Sequence, residues 1–386
     1  MNIQILSHVP FDSIYGAGSS LRNHYIAMEP YRDFIFRHIS RTPSKSFLRR
    51  PLSIDKRCNI VSNFNSSLPI DFNWDGANAM KFKGLRKFVA GGLFWAHKGR
   101  TLESIKSGNP DLIHINSLAL VPVLKSIVEV MPQVKIVAHV RELLSFGLSS
   151  NQISDLDLVD GFISIDKAAQ DRLIKVAPFV SKKISAIIQN PFRPVNNIFK
   201  PNCDSTVFHN KIKIGMAGQI SEDKGVLFVM ESLLASNCRG FHLILAGESK
   251  GEYGRKVLAL CSKHAEYFTY IGEIPNLNES GFYNFIDIVA RGDDSFRTGR
   301  TVFEALFSGK CCILPGTQED VKLDQNLARF FDKLYTFNPN NVSSLAETFK
   351  RIYNNFPTII SPIVEDGNFP DYAFAVNNFY CNVLQT

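Results

Sequence analysis

Two successive blocks of short apolar runs, each alternating with helix-like segments, constrain this chain more than any other feature. The first block opens on IQIL (Ile3 to Leu6), which reads as a buried strand, followed by a glycine-bearing stretch and a helix-like LRNHYIAM. From residue 109 the pattern is regular: NPDLIHINS, KIVAHVREL, VDGFISID and KKISAIIQNPF read as strands, LALVPVLKSIVEV and KAAQDRLIKVA as helices. The stretch 191–210 is rich in Pro and Asn and reads as a linker. The alternation then restarts, with strands in KIKIGMAG, FHLILAGES, FTYIGEI and CCILPG and helices in GVLFVMESLLAS, GRKVLALCSKHA, TVFEALFSG and VSSLAETFKRIYNN, while GFYNFIDIVARG runs from helix into strand. Such alternation argues for parallel sheets with helices on both faces. The expected class is α/β: two Rossmann-like doubly wound domains, 1–195 and 196–365, facing a central cleft, with a helix at 366–386 packing back toward the first. Ligands of open α/β sheets sit outside the carboxyl ends of the strands. Two facing edges suit two substrates, which favours a transferase over a single-ligand binder.

Composition removes several other classes. Of the 386 residues 45% are hydrophobic and 31 are Phe, ample for packed cores and incompatible with general disorder. Apolar runs stop at about 8 residues, short of the roughly 20 a spanning helix needs. MNIQILSHVP enters a strand-like run with no basic n-region, so no signal peptide is expected. The seven cysteines show neither CxxC nor zinc spacing, which suits free thiols in a reducing cytosol.

Net charge is +7, yet from His38 to Lys106 Lys and Arg outnumber acids 13 to 4, so the remainder is slightly acidic. Within that segment Lys81, Lys83, Arg86, Lys87, Lys98, Arg100 and Lys106 surround Phe82, Phe88, Phe94 and Trp95. Cations around an aromatic face are what an interfacial helix needs to rest on anionic lipid, and this face is expected to meet membrane or acceptor. An amphipathic helix with a core-facing apolar side fits the same pattern, and Gly84, Gly91, Gly92 and Gly99 count against one long helix. No motif supports nucleic-acid binding.

Four segments, in order, resemble the nucleotide-sugar-binding domain of the GT-B glycosyltransferases of family 4, the large retaining group. They are Gly218-Gln219-Ile220-Ser221-Glu222-Asp223-Lys224-Gly225, LILAGES (243–249), YIGEI (270–274), and the most specific, GRTVFEALFSG from Gly299 to Gly309. PDLIHINS (110–117), AHVREL (138–143) and ISAIIQNPF (184–192) fall where the family has corresponding segments in its first half. The resemblance spans nearly the whole chain and is thin from 38 to 106. It implies a metal-independent retaining glycosyltransferase without a cofactor, moving sugar from a UDP- or GDP-type donor. The acceptor is expected to be a glycan or lipid-linked oligosaccharide of cell-surface polysaccharide synthesis. The place of action would be the cytoplasm, at the inner face of the membrane. A GT-B epimerase, a phosphorylase and a non-catalytic sugar-nucleotide-binding subunit are the rivals.

The chemistry assigns expected roles. A leaving diphosphate must meet cations and helix N-termini. Lys224 is expected to reach it, although a solvated loop lysine is the bland alternative. Gln219 stands where many relatives have Arg, so a charge is missing, for which Arg300 or Arg297 is a substitute. Gly299, Arg300, Thr301 and Val302 open a helix whose amides face the diphosphate, and Glu304, one turn in, is implied to bind the ribose hydroxyls. Gly16 and Gly18 would let the backbone approach donor closely. The family's first acidic residue falls at Phe296, a departure. An insertion of Arg297 and Thr298 would put Asp294 there instead. His139, at a strand end, is implied to orient a sugar hydroxyl, against the alternative of a core histidine. His114 reads as structural, and Asn190 as a turn-former.

Overall fold

A computed structural model describes residues 1–7, 16–31, 33–40, 58–62, 98–99, 101–141, 148–356, 363–364 and 366–386. The chain divides into two units, Met1–Pro191 together with Phe369–Thr386, and Phe192–Asn368.

In the first unit the strands are β1 (Asn2–Ser7), β2 (Ile35–Ser40), β3 (Cys58–Ser62), β4 (Leu112–Ile115), β5 (Lys135–Val140), β6 (Gly161–Ser164) and β7 (Ile184–Ile187). They form one sheet in the order β3-β2-β1-β4-β5-β6-β7, parallel throughout. Strands such as LIHI are buried at every position, because a parallel sheet is covered on both faces. Helices α1 (Gly16–Ala27), α2 (Val121–Val130) and α3 (Lys167–Val176) connect them. Asp166 starts α3 by accepting from the Ala169 amide at 2.7 Å. Leu124 and Ile127 of α2 and Leu173 of α3 pack on Ile113, Ile136 and Phe162 on one face. The C-terminal helix (Phe369–Gln385) covers the other, laying Tyr372, Val376, Phe379, Tyr380 and Val383 over Ile3, Ile5, Leu112 and Ile163.

The second unit contains β8 (Ile212–Ala217), β9 (Phe241–Ala246), β10 (Phe268–Tyr270), β11 (Ile288–Ala290), β12 (Cys311–Pro315) and β13 (Leu334–Phe337). Their order is β10-β9-β8-β11-β12-β13, again all parallel. Of its helices α4 (Val226–Ser236), α5 (Gly251–Lys263), α6 (Arg300–Phe307) and α7 (Val342–Asn355), α4 and α7 share one face. Helix α6 lies on the other, its Val302, Leu306 and Phe307 packed with Ile244, Val289 and Leu314.

Each sheet reverses direction once, between β1 and β4 and between β8 and β11. Such switch points are where open α/β sheets hold ligands. The reading of 191–210 as a linker is corrected: the second unit begins at Phe192, and Phe192 and Phe208 are buried in its core. Among the described residues no helix is long and apolar enough to cross a membrane.

Candidate functional site

At the β8–β11 switch point the strand ends open into a concavity bordered by Ala217, Gly218, Gln219, Lys224, Ala290 and Arg291. The loop after β8 is held to the sheet by a bridge from Ile220 to Ser249 and closes in a single 3-10 turn, Glu222–Lys224. Gly225 ends that turn at φ 58°, and a Cβ there would stand 1.7 Å from the Gly292 carbonyl oxygen. Only glycine satisfies both the left-handed backbone and the close approach. This pins Lys224 beside the cavity, with its ammonium 3.0 Å from the Asp223 carboxylate. Burial pushes the Asp223 carboxyl up, and hydrogen bonds from Ser221 and Lys224 outweigh it to leave it below its ordinary value. Gln219 is exposed.

Helix α6 starts at Gly299, which caps it without a side chain. Glu304 is buried one turn in, 8% exposed. Its Oε2 accepts from the Tyr283 hydroxyl at 2.5 Å and its Oε1 lies 3.1 Å from Arg300 Nε. Burial, reinforced by the Glu304 charge, raises the Tyr283 phenol well above its usual value, so it stays a donor. Thr301 Oγ1 is buried and, among the described residues, without a partner. The Val302 amide donates to the Gly299 carbonyl at 3.0 Å and its side chain is in the core.

The two aspartates before α6 differ. Asp294 is exposed and accepts from Ser295 Oγ at 3.0 Å. Asp293 is buried, with both oxygens held by Arg291, Nε at 2.6 Å and Nη2 at 2.7 Å. Of the pair, Asp293 is therefore the one that holds Arg291, a residue of the cavity wall. Phe296, half-buried, packs against the core. Sequence reasoning missed Arg291 and Tyr283. A signal for Arg291 was present, since residues two apart in extended chain share a side, and Arg291 and Asp293 are so spaced.

In the first unit His139 is fully buried, stacked on His114 with ring centroids 5.4 Å apart. Its Nδ1 stands 3.4 Å from Arg141 Nη2. Arg141 also donates to Asn116 Oδ1 at 2.8 Å and to the Asn190 side chain, so Asn190 does more than turn the chain. Burial, then the charge of Arg141, holds the His139 pKa well below the ordinary value, leaving a neutral imidazole. His114 Nδ1 meets the Tyr380 hydroxyl at 2.6 Å and His24 Nδ1 that of Tyr372 at 2.7 Å. The Nε2 atoms of His24, His114 and His139 are buried and, among the described residues, unpartnered.

Gly16 and Gly18, expected in a loop, lie in the first turn of α1. Lys81, Lys83, Arg86, Lys87 and Trp95 lie outside the described residues. Among the described residues no three His, Cys, Asp or Glu side chains are grouped to hold a metal ion.

Neither a family model nor a curated protein matches the sequence. Among solved structures, HepE of Anabaena in complex with UDP superposes with a TM-score of 0.63 at 15% identity, covering 100% of this chain and 98% of that chain. The lipopolysaccharide outer core galactosyltransferase WaaB, in its apo form, gives 0.61 at 11% identity, with 99% of each chain covered. An E. coli trehalose-6-phosphate protein bound with UDP-2-fluoro glucose gives 0.66 at 9% identity, covering 100% of this chain and 99% of that one. At these identities the likeness establishes the fold, two Rossmann-like domains of the GT-B type.

Proposed function

We propose that the chain is a retaining glycosyltransferase of the family 4 type, moving a sugar from a UDP- or GDP-sugar to a glycan or lipid-linked acceptor in cell-surface polysaccharide synthesis. The observation that carries this is the cavity at the second switch point, with Lys224 on one side and the start of α6, Glu304 one turn in, in the same unit. The solved structures of HepE with UDP and with UDP-glucose support a nucleotide-sugar donor on this fold. Lys224 and the α6 amides would meet the charge that grows on the diphosphate as its bond to the sugar breaks. Each Glu304 oxygen keeps acceptor capacity beyond its present partner, which suits ribose hydroxyls.

In the reaction the bond from the anomeric carbon to the diphosphate oxygen breaks. The bond to the acceptor oxygen forms on the same face, and the acceptor proton passes to the leaving diphosphate. The protein then needs no nucleophile, cofactor or metal of its own, only positioning and positive charge. We assign to His139, held neutral by burial and the Arg141 charge, the orienting of a sugar hydroxyl. We place the enzyme in the cytoplasm, resting on the inner face of the membrane through its basic segment.

Thermal-shift screening of UDP-, GDP- and ADP-sugars, followed by transfer assays with the anomeric configuration of the product read by NMR, tests the reading. Stabilisation by a nucleotide sugar and a product of unchanged configuration are expected. An inverted product removes the retaining assignment. Donor binding with neither transfer nor donor hydrolysis would favour the non-catalytic subunit, the reading that Phe296 in the first acidic position motivates.

A further inference from the structure

Resting on that reading, we propose that Arg291 supplies the diphosphate contact that Gln219 lacks, and that Gly299 is glycine to make room for it. The residue follows β11 directly, and its amide donates to the Ile313 carbonyl at 2.9 Å, so its backbone is fixed at the carboxyl edge of the sheet. Its side chain is 13% exposed and borders the same cavity as Gln219 and Lys224. Asp293 engages Nε and Nη2. That two-point grip fixes the guanidinium plane and leaves the two N–H groups of Nη1 outside the pair.

Where Nη1 lies follows from the glycine beside it. A Cβ on Gly299 would stand 2.3 Å from Arg291 Nη1 and 3.2 Å from Cζ. Yet Gly299 has φ −71° and ψ 166°, a conformation open to any residue. Its lack of a side chain is therefore explained by space and not by backbone freedom. The guanidinium tip rests against the cap of α6, where the helix field favours an anion. Lys224 and Arg291 are each paired with an aspartate, at 3.0 Å and 2.6 Å, so what Arg291 adds is directed N–H donors and not net charge. Two oriented N–H donors from Arg291 at the helix start supply what an exposed, uncharged Gln219 cannot. Lysine would not substitute, because its single ammonium cannot hold Asp293 at two points and still donate into the cavity.

Calorimetry on the full chain tests this with UDP and GDP, and with uridine and guanosine as probes lacking the diphosphate. Arg291→Ala leaves Asp293 buried without its partner and risks the fold, so Arg291→Lys and Gly299→Ala are the informative variants. In the latter the new methyl meets side-chain atoms of Arg291 and no backbone, so the guanidinium must shift at Nη1, and a melting curve beside the calorimetry checks that the Asp293 pair and the fold are kept. Both should weaken the nucleoside diphosphate that wild type binds by about tenfold or more and leave the matching nucleoside within about twofold, a selective loss that general loosening would not produce. Folded variants that bind the diphosphate as tightly as wild type, or lose diphosphate and nucleoside alike, overturn the assignment of Arg291. A wild-type chain that binds neither UDP nor GDP instead overturns the donor-site reading on which it rests.

Discussion

Tyr283 donates its buried hydroxyl hydrogen to Glu304 at 2.5 Å, tying the short helix before β11 to the second turn of α6. Removing the carboxylate strands a phenol in the core, at a cost of about 1–3 kcal/mol. Glu304→Ala should therefore lower both stability and transfer, the latter at least tenfold. Glu304→Gln keeps a hydrogen-bond partner for Tyr283 and should separate the two effects, retaining stability but not turnover. A Gln variant with wild-type kcat/KM would withdraw Glu304 from donor binding.

Lys224→Ala should also cut transfer at least tenfold, with little change in melting temperature, since its ammonium is partly solvated and its pairing with Asp223 is local. Kinetics beside a melting curve would show it, and unaltered rates in a folded variant would remove the lysine from the site.

The neighbouring aspartates should differ. Asp293→Asn weakens the grip on Arg291 and should impair turnover and stability together, whereas Asp294→Asn alters an exposed group hydrogen-bonded to Ser295. If Asp294→Asn is the more damaging in turnover while leaving stability intact, Asp294 itself reaches the sugar.

Chelation should leave activity intact, because Lys224 and the α6 amides are proposed to carry the diphosphate charge. Loss in EDTA with recovery in Mn²⁺ or Mg²⁺ would mean that a cation shares that role.

The histidines of the first unit make the fold acid-sensitive. Burial pushes His24 and His38 down to about 3, and His114 and His139 well below their ordinary value, so all are neutral when folded. An unfolded histidine takes its proton near pH 6.5, and the unfolded state thus binds more protons below that pH. Stability from this source is complete above about pH 6.5 and declines as pH falls, by about 1.4 kcal/mol per pH unit for each histidine involved. Urea midpoints between pH 7.5 and 5 should drop with a slope of more than one proton; a flat profile would contradict the burial.

Much of the fold was legible because strands covered on both faces are unbroken apolar runs, as in LIHI and FHLILA. Strand β2 was not, since IFRHIS mixes Arg37 and His38 into the run at the edge of the basic segment. Strand β13 is four residues of mixed burial. Of the candidate site, Lys224, Gly299 and Glu304 came from the family resemblance carried by one loop and one helix. The buried partners could not: Tyr283 meets Glu304 from 21 residues away, and Tyr380 meets His114 from 266. Which of two adjacent aspartates turns inward depends on where the Arg291 side chain lies, and the chain's spelling alone does not reveal it.

The C-terminal helix belongs to the unit in which the chain begins, and that has a consequence for synthesis. Residues 192–368 are contiguous in sequence, whereas the first unit is completed only by the helix Phe369–Gln385, its sheet face over Ile3, Leu112 and Ile163 open until that segment is made. A premature stop before Phe369 would leave the second unit whole and the first with an exposed apolar face, and with His24 and His114 deprived of Tyr372 and Tyr380.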